Sequence, residues 1–449
     1  VIGRLADGFS WGVATSAYQI EGSPFSDGAG ESIWDRFVRT KGTVAGGDTG
    51  DIACDHYRRM EEDVALMARL GVDTYSFSIA WTRVIPDGHG VVNSAGLDFY
   101  DRLVDTLLAN GIEPCPTLYH WDLPQALQDR GGWPERATVD AFVHYADVVS
   151  SALGDRAKHW ITHNEPWVAS MLGYLEGAHA PGLRDWRAAL PAAHHLLLSH
   201  GRSVPIIRAN VPGASVGITI DCRPTVPASS DPADLAAQRH FDGFRNRWFF
   251  DPVFGRGYPE DIVATYRDRG RFEGARPPFD QQGDMAEIAA PIDFLGVNYY
   301  TSLTVAAGAD EIEDTGVAPG PNPPGGHTEM GWPITPAALS QFLKRVHDDY
   351  GPDRIIVTEN GASFSDAPGP DGRVRDERRI RYLSEHIEAV ADAAAQGVPV
   401  VGYYVWSFMD NFEWSLGYSQ RFGLVFVDFA TGERTPKDSF HWYARLIRG

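Results

Sequence analysis

Apolar residues along this chain come in two rhythms. Short runs rich in β-branched and aromatic residues recur eight times: "FSWGVATS", "DTYSFSIAW", "EPCPTLYH", "KHWITHNE", "ASVGITI", "PIDFLGVNYY", "RIIVTEN" and "PVVGYYVWSF". Each is bounded by Gly, Pro or polar residues, the usual marks of a strand. Between most of them the apolar positions fall at helical spacing. "HYRRMEEDVALMARLG" stops at Gly71, "SAGLDFYDRLVDTLLANG" at Asn110-Gly111 and "DERRIRYLSEHIEAVADAAAQG" at Gly397, all C-terminal helix signals. Alternation of this kind predicts right-handed crossovers and a parallel sheet. Eight repeats in one unbroken series fit a closed (β/α)8 barrel, an α/β fold, better than an open doubly wound sheet. No stretch of linker composition divides the chain, so one domain over residues 1–449 is expected. The Pro/Gly-rich "GVAPGPNPPGGHTEMGW", Gly316 to Trp332, reads as a long strand-to-helix loop. In a barrel such loops lie over the face where sites are built.

The ends of the eight runs carry unusual residues for positions leaving a core. The first leads into Gln19 and Glu21, the second into Arg83, the third into His120, Trp121 and Asp122, and the fourth into Asn164 and Glu165. The sixth delivers Asn298 and Tyr300, the seventh Glu359, and the eighth Trp406, followed by Glu413 and Trp414. Any one of these could be a loop residue that caps a turn or holds an ion pair. Together they predict a polar rim above the barrel. Two of its glutamates, Glu165 and Glu359, end separate strands and are followed by turn-formers, Pro166 and Asn360-Gly361. Cleaving a glycosidic bond takes two carboxyl groups, one protonated to assist the departing oxygen and one ionised to attack or stabilise the anomeric carbon. Sugars also need amide, imidazole and carboxylate partners for their hydroxyls and flat indoles for their C–H faces.

Charge and composition narrow the partners. The formal net charge is −21 and the sequence pI about 5.1, with no basic run to interrupt the excess of acid. Such a surface repels phosphate backbones and anionic lipid, so neither nucleic acid nor membrane is expected to bind. Hydrophobic content of 43% is enough for a large buried core. "VPVVGYYVWSF" is too short to span a bilayer, and Val1 is not followed by a signal-peptide pattern. Cys54, Cys115 and Cys222 are odd in number and far apart, and no Asn-x-Ser/Thr sequon occurs. Both features fit a protein of the reducing cytoplasm. The only lysines are Lys41, Lys158, Lys344 and Lys437, a bias that points to a GC-rich bacterial genome.

The blocks "FSWGVATSAYQIEG", "LYHWDLP", "THNEPW", "GVNYYT", "VTENG" and "WSFMDNFEWSLGYSQRFG" resemble, in order, those of the family 1 glycoside hydrolases, the retaining β-glucosidases and their relatives. The resemblance runs from Phe9 to about Phe440. It implies that Glu359 is the nucleophile of a covalent glycosyl-enzyme and that Glu165 is the general acid that later serves as base. It further implies that Arg83, Asn298 and Tyr300 support the nucleophile, and that Asn164 holds the sugar 2-hydroxyl. Gln19, His120, Trp121, Trp406, Glu413, Trp414 and Phe422 would bind the nonreducing sugar, and Trp167 and Trp332 would line the leaving-group side. No cofactor or metal is implied. An acid that keeps its proton beside an anion should titrate above that anion, so Glu165 is expected to titrate above Glu359.

The implied activity is exo-hydrolysis of β-glucosides and short β-linked oligosaccharides, with transglycosylation as a side route. β-Galactosidase, β-fucosidase and 6-phospho-β-glycosidase activities are the alternatives within the family, and a noncatalytic glycan-binding protein the alternative outside it. Glu413 and Trp414 stand where the phospho-sugar branch differs, and a carboxylate there would repel a phosphate dianion. Glu165 argues against the branch that replaces its acid by glutamine. "HHLLLSH" offers His195 and His200 without the glutamate of a zinc helix, and reads as a set of satisfied helical histidines. "DGAGES" and "AGGDTG" do not follow a strand and open a helix as a dinucleotide loop would, and read as rim loops.

Overall fold

The computed structural model describes residues 5–308 and 315–449. Eight parallel strands close into a barrel: β1 (Ser10–Ala14), β2 (Thr74–Ser78), β3 (Glu113–Tyr119), β4 (His159–Asn164), β5 (Ser215–Cys222), β6 (Phe294–Tyr299), β7 (Ile355–Asn360) and β8 (Val400–Trp406). Each pairs with its neighbours in chain order, and β1 closes on β8 with Ser10 opposite Gly402 and Ala14 opposite Trp406. Helices alternate with them: α1 (His56–Leu70), α2 (Ser94–Ala109), α3 (Ala137–Leu153), α4 (Trp186–Asn210), α5 (Pro232–Asp242), α6 (Pro336–Tyr350), α7 (Glu377–Ala395) and α8 (Asp438–Arg448), of which α5 packs against Thr225–Pro227 and Leu303–Ala306 outside the barrel. The eight apolar runs are the eight strands, and the three helical patterns end within two residues of where their glycines placed them.

The strands are buried along almost their whole length because helices cover the outside and side chains fill the inside. A second, smaller cluster fills the barrel interior with Cys115, Ile161, Phe294, Ile356 and Tyr404 and continues to Trp406 and Phe422, against which Tyr300, Met330 and Trp332 pack. The segment Gly316 to Trp332 is not all loop. Ala318–Pro319 pairs antiparallel with Leu303–Ala306, which pairs in turn with Thr225–Pro227, making a small sheet outside the barrel. Among the described residues no helix is long and apolar enough to cross a membrane.

Candidate active site

The C-terminal ends of the strands open into a cavity of about 320 Å³. Its floor and walls include His120 and Trp121 from the end of β3, Glu165 and Trp167 after β4, Asn298 and Tyr300 from β6, and Glu359 from β7. Trp406, Glu413, Trp414 and Phe422 close it from the β8 side, and Trp332 reaches it from the long loop. Thirteen of the fifteen residues expected at the site lie in or directly behind this wall. Asn164 is the one behind: its Nδ2 meets His120 Nε2 at 3.2 Å and its Oδ1 accepts from Asn298 at 3.1 Å.

Local sequence explains how each carboxyl group is aimed. β7 runs in register with β6 through Val357 opposite Val297, and then slips so that Glu359 faces Asn298. A bulge of this kind turns a side chain off the regular alternation. Thr358 Oγ1 marks the slip by donating to Asn298 Oδ1 at 2.8 Å. Asn360 ties down the strand end through Tyr299 O at 2.7 Å and Tyr403 Oη at 2.5 Å. A Cβ on Gly361 would lie 1.7 Å from the carbonyl oxygen of Trp406, so only glycine lets β7 leave the barrel there.

Glu165 is held differently. Pro166 steers the residue before it away from right-handed helical backbone. Glu165 adopts φ 52°, in the left-handed region, while its N–H still donates to Thr219 O at 3.0 Å. Trp121 (φ 80°) and Trp414 (φ 49°) share that backbone region. Residues other than glycine in such conformations gather at functional sites.

The electrostatics separate the two glutamates. Burial raises the proton affinity of Glu165 well above the usual carboxylate range, and the charges of Asp221 and Glu359 push it further. Burial also raises Glu359, but Tyr300 Oη donates to its Oε2 at 2.6 Å and Asn298 lies against it, and these donors favour the anion. Tyr300 itself is held protonated by burial and by the adjacent Glu359, which keeps it a donor. Asn298 also gives Nδ2–H to Glu165 Oε1 at 2.7 Å, so one amide spans both carboxyl groups. His120 is pushed down to about 3 by burial and is neutral. Glu413 is raised to about 8 by burial, and its Oε2 has no hydrogen-bond partner among the described residues. A buried, unpaired acceptor at a cavity wall is suited to take a hydroxyl.

Two expected site residues are elsewhere. Arg83 does not flank Glu359: its Nε donates to Glu21 Oε2 at 2.6 Å, its Nη2 to Gly22 O at 2.6 Å, and it does not line the cavity. Glu21 follows the short helix Ala17–Ile20 after β1 and accepts from Tyr100 Oη at 2.8 Å as well as from Arg83. Gln19 is also turned away, because its Nε2 donates to Phe412 O at 2.8 Å and Asn411 Oδ1 at 3.1 Å while its Oε1 accepts from Ser16 at 2.6 Å. In this structure Arg83 is paired with Glu21 and not with Glu359. Arg83→Met should destabilise the fold by about 3–5 kcal/mol through the unpaired buried Glu21. Urea denaturation measures that loss, and the pH limbs of the remaining activity should stay where they are; a displaced acidic limb would return Arg83 to the nucleophile.

The structure also adds residues. Asp221 and Cys222, the last of β5, line the cavity with Arg245 and Met330. The apolar run "ASVGITI" stops at Ile220, one residue before the acid that matters. The histidines of α4 are engaged, His195 with Trp133 O at 2.8 Å and His200 with Thr162 Oγ1 at 2.7 Å. His194, Asp280 and Asp284 come together within reach of one ion. Arg136 already clasps Asp284 at 2.5 and 2.8 Å and His194 Nε2 meets it at 2.9 Å, so the group is an ion-pair network.

The description Glycosyl hydrolase family 1 matches residues 2–449. Beta-glucosidase A of Thermotoga maritima is 46% identical over 446 residues, which cover 99% of this chain and 98% of the relative. The 1,4-beta-D-glucan glucohydrolase of Thermotoga neapolitana is 44% identical over the same shares of the two chains. The structure of the Thermotoga maritima beta-glucosidase in complex with glucoimidazole superposes with a TM-score of 0.94 at 46% identity, covering 99% of this chain and 98% of that one.

Proposed function

Because this chain belongs to glycosyl hydrolase family 1, we propose that it is a β-glucosidase that releases terminal non-reducing β-D-glucosyl residues with retention of configuration. The observation that carries the reading is the pair Glu165 and Glu359, facing one cavity: burial raises the proton affinity of both, while Tyr300 and Asn298 donate to Glu359 and favour its anion, and the neighbouring charges of Asp221 and Glu359 push Glu165 further up.

In the first step the Glu359 carboxylate attacks the anomeric carbon. The bond from that carbon to the leaving oxygen breaks, its electron pair stays on the oxygen, and Glu165 delivers a proton there. In the second step Glu165, now ionised, takes a proton from water as the water oxygen displaces Glu359. Asn298 and Tyr300 hold the nucleophile. His120, Trp121, Trp406, Glu413, Trp414 and Phe422 form the wall for the departing glucose, with Asn164 fixing His120 and Asn298 from behind. Trp167 and Trp332 flank the side where the leaving group exits.

Simple β-glucosides and short β-linked glucose oligomers are the substrates proposed, in keeping with the name 1,4-beta-D-glucan glucohydrolase carried by one relative and the glucoimidazole held by the other. Glu413 disfavours a 6-phosphate because a buried carboxyl group offers a dianion no counter-charge, and repels it once ionised. We place the whole chain, as one catalytic unit, in the cytoplasm: the three cysteines are free and buried, and the net charge of −21 turns nucleic acid and anionic lipid away. Proton NMR of 4-nitrophenyl β-D-glucoside hydrolysis tests the mechanism. β-Glucose should appear before mutarotation begins, and α-glucose appearing first would make the enzyme inverting.

A further inference from the structure

Beside Glu165 lies a buried ion pair that the double displacement does not use. Arg245, in the wide helical turn Gly243–Arg247, reaches Asp221 with Nη2, and the two side chains are 8% and 7% exposed. Its guanidinium carbon also sits 3.3 Å from the centre of the Trp167 ring, two residues beyond Glu165. Arg245 Nε and Nη1 find no hydrogen-bond partner among the described residues, so charge contact and stacking hold it in place.

Asp221 is directed by β5 at the same point. Glu165 N–H bonds to Thr219 O at 3.0 Å, and Thr219 Oγ1 reaches across to Thr358 at 3.3 Å, so Thr219 points inward. Residues two apart on a strand share a face, which turns Asp221 inward beside Glu165. Asp221 also stands opposite Asn298 of β6, whose amide touches Glu165.

We propose that Asp221 and Arg245 are positioning residues for the general acid: they hold the Glu165–Trp167 turn and, as a neutralised pair, set the pH at which Glu165 gives up its proton. The inference rests on the reading of Glu165 as the acid. Other ionisable groups face the same space. Cys222 and Arg223 come from the end of β5, His120 from β3 and His179 from beyond β4. Tyr300 comes from β6, Glu359 from β7 and Glu413 from the segment after β8. His120 and His179 are each pushed down to about 3 by burial, and Tyr300 and Cys222 are pushed up by it, which leaves the anions and the arginines to act on Glu165. Asp221 raises the proton affinity of Glu165 and Arg245 lowers it.

The two charges must therefore move the alkaline limb of kcat/KM in opposite directions. With a β-glucoside of poor leaving group, Asp221→Asn should shift the limb down and Arg245→Gln should shift it up, each by about one pH unit. The double variant Asp221→Asn/Arg245→Gln should return it near the wild-type position, and Arg245→Lys, which keeps the charge, should leave it in place. Hydrolysis of 2,4-dinitrophenyl β-glucoside, which needs no acid, should show none of these shifts. Limbs that stay fixed, or move the same way in both single variants, overturn the proposal even if activity falls. If Arg245→Gln does not fold, Asp221→Asn against the double variant gives the same decision. Glu165→Gln in the same series separates the two readings: an alkaline limb that survives it removes Glu165 as the acid, whereas a limb that vanishes there but ignores the pair removes only the pair.

Discussion

Glu359→Gly should lose kcat by a factor on the order of 10⁴ or more, and sodium azide should restore turnover with α-glucosyl azide as the product. The size follows from losing the covalent route altogether. The anomer follows from geometry. A small anion entering the space vacated by Glu359 attacks once, from the nucleophile's side, and inverts the centre while Glu165 still supplies its proton. Folding should survive, because the variant removes a buried carboxyl group whose two donors, Tyr300 and Asn298, keep other partners or the added anion. NMR of the product decides it, and β-glucosyl azide from this variant would mean that the two glutamates have exchanged roles.

Glu165→Gln should cost about 10²- to 10⁴-fold in kcat/KM for alkyl glucosides and far less for dinitrophenyl glucosides, whose leaving group departs without a proton. The sign of the pH effect is fixed by the environment. Burial, Asp221 and Glu359 raise the proton affinity of Glu165, so the wild-type acid stays protonated well above the pH at which an exposed glutamate ionises. Activity on poor leaving groups should fall only as pH rises past that raised value. Glutamine does not titrate, so this fall should disappear from the profile. A stopped-rate profile between about pH 5 and 9 is the measurement, and an unchanged alkaline limb would assign the proton to another group.

Strand ends were readable because the pattern that makes a parallel barrel strand is conspicuous. "RIIVTENG" and "KHWITHNEP" each drive an apolar run straight into a glutamate and then a turn. What could not be read was which neighbour a long side chain would choose. Arg83 follows β2, and its position in the sequence does not say that it turns to Glu21, beyond the short helix after β1, at 2.6 Å. Gln19 stands outside the cavity lining for a similar reason, since Phe412 and Asn411 come back against it from nearly four hundred residues away. Asp221 was hidden by the ordinary look of "GITIDC", whose acid gains meaning only when Arg245, from a separate helix, is seen beside it. Spacing along the chain reports a strand's own end faithfully and reports its partners hardly at all.

The left-handed backbone at Trp121, Glu165 and Trp414 carries a further meaning. A residue with a Cβ holds that conformation at a cost of about 1–2 kcal/mol, and glycine at almost none. At Trp121 and Trp414 that relief is outweighed by the buried indole, whose loss costs about 3–5 kcal/mol. The rings that wall the cavity therefore also hold down the strained backbone that presents them, Trp414 packing on Trp121 with ring centres 4.6 Å apart. Shape of the cleft and stability of its rim are set by the same side chains.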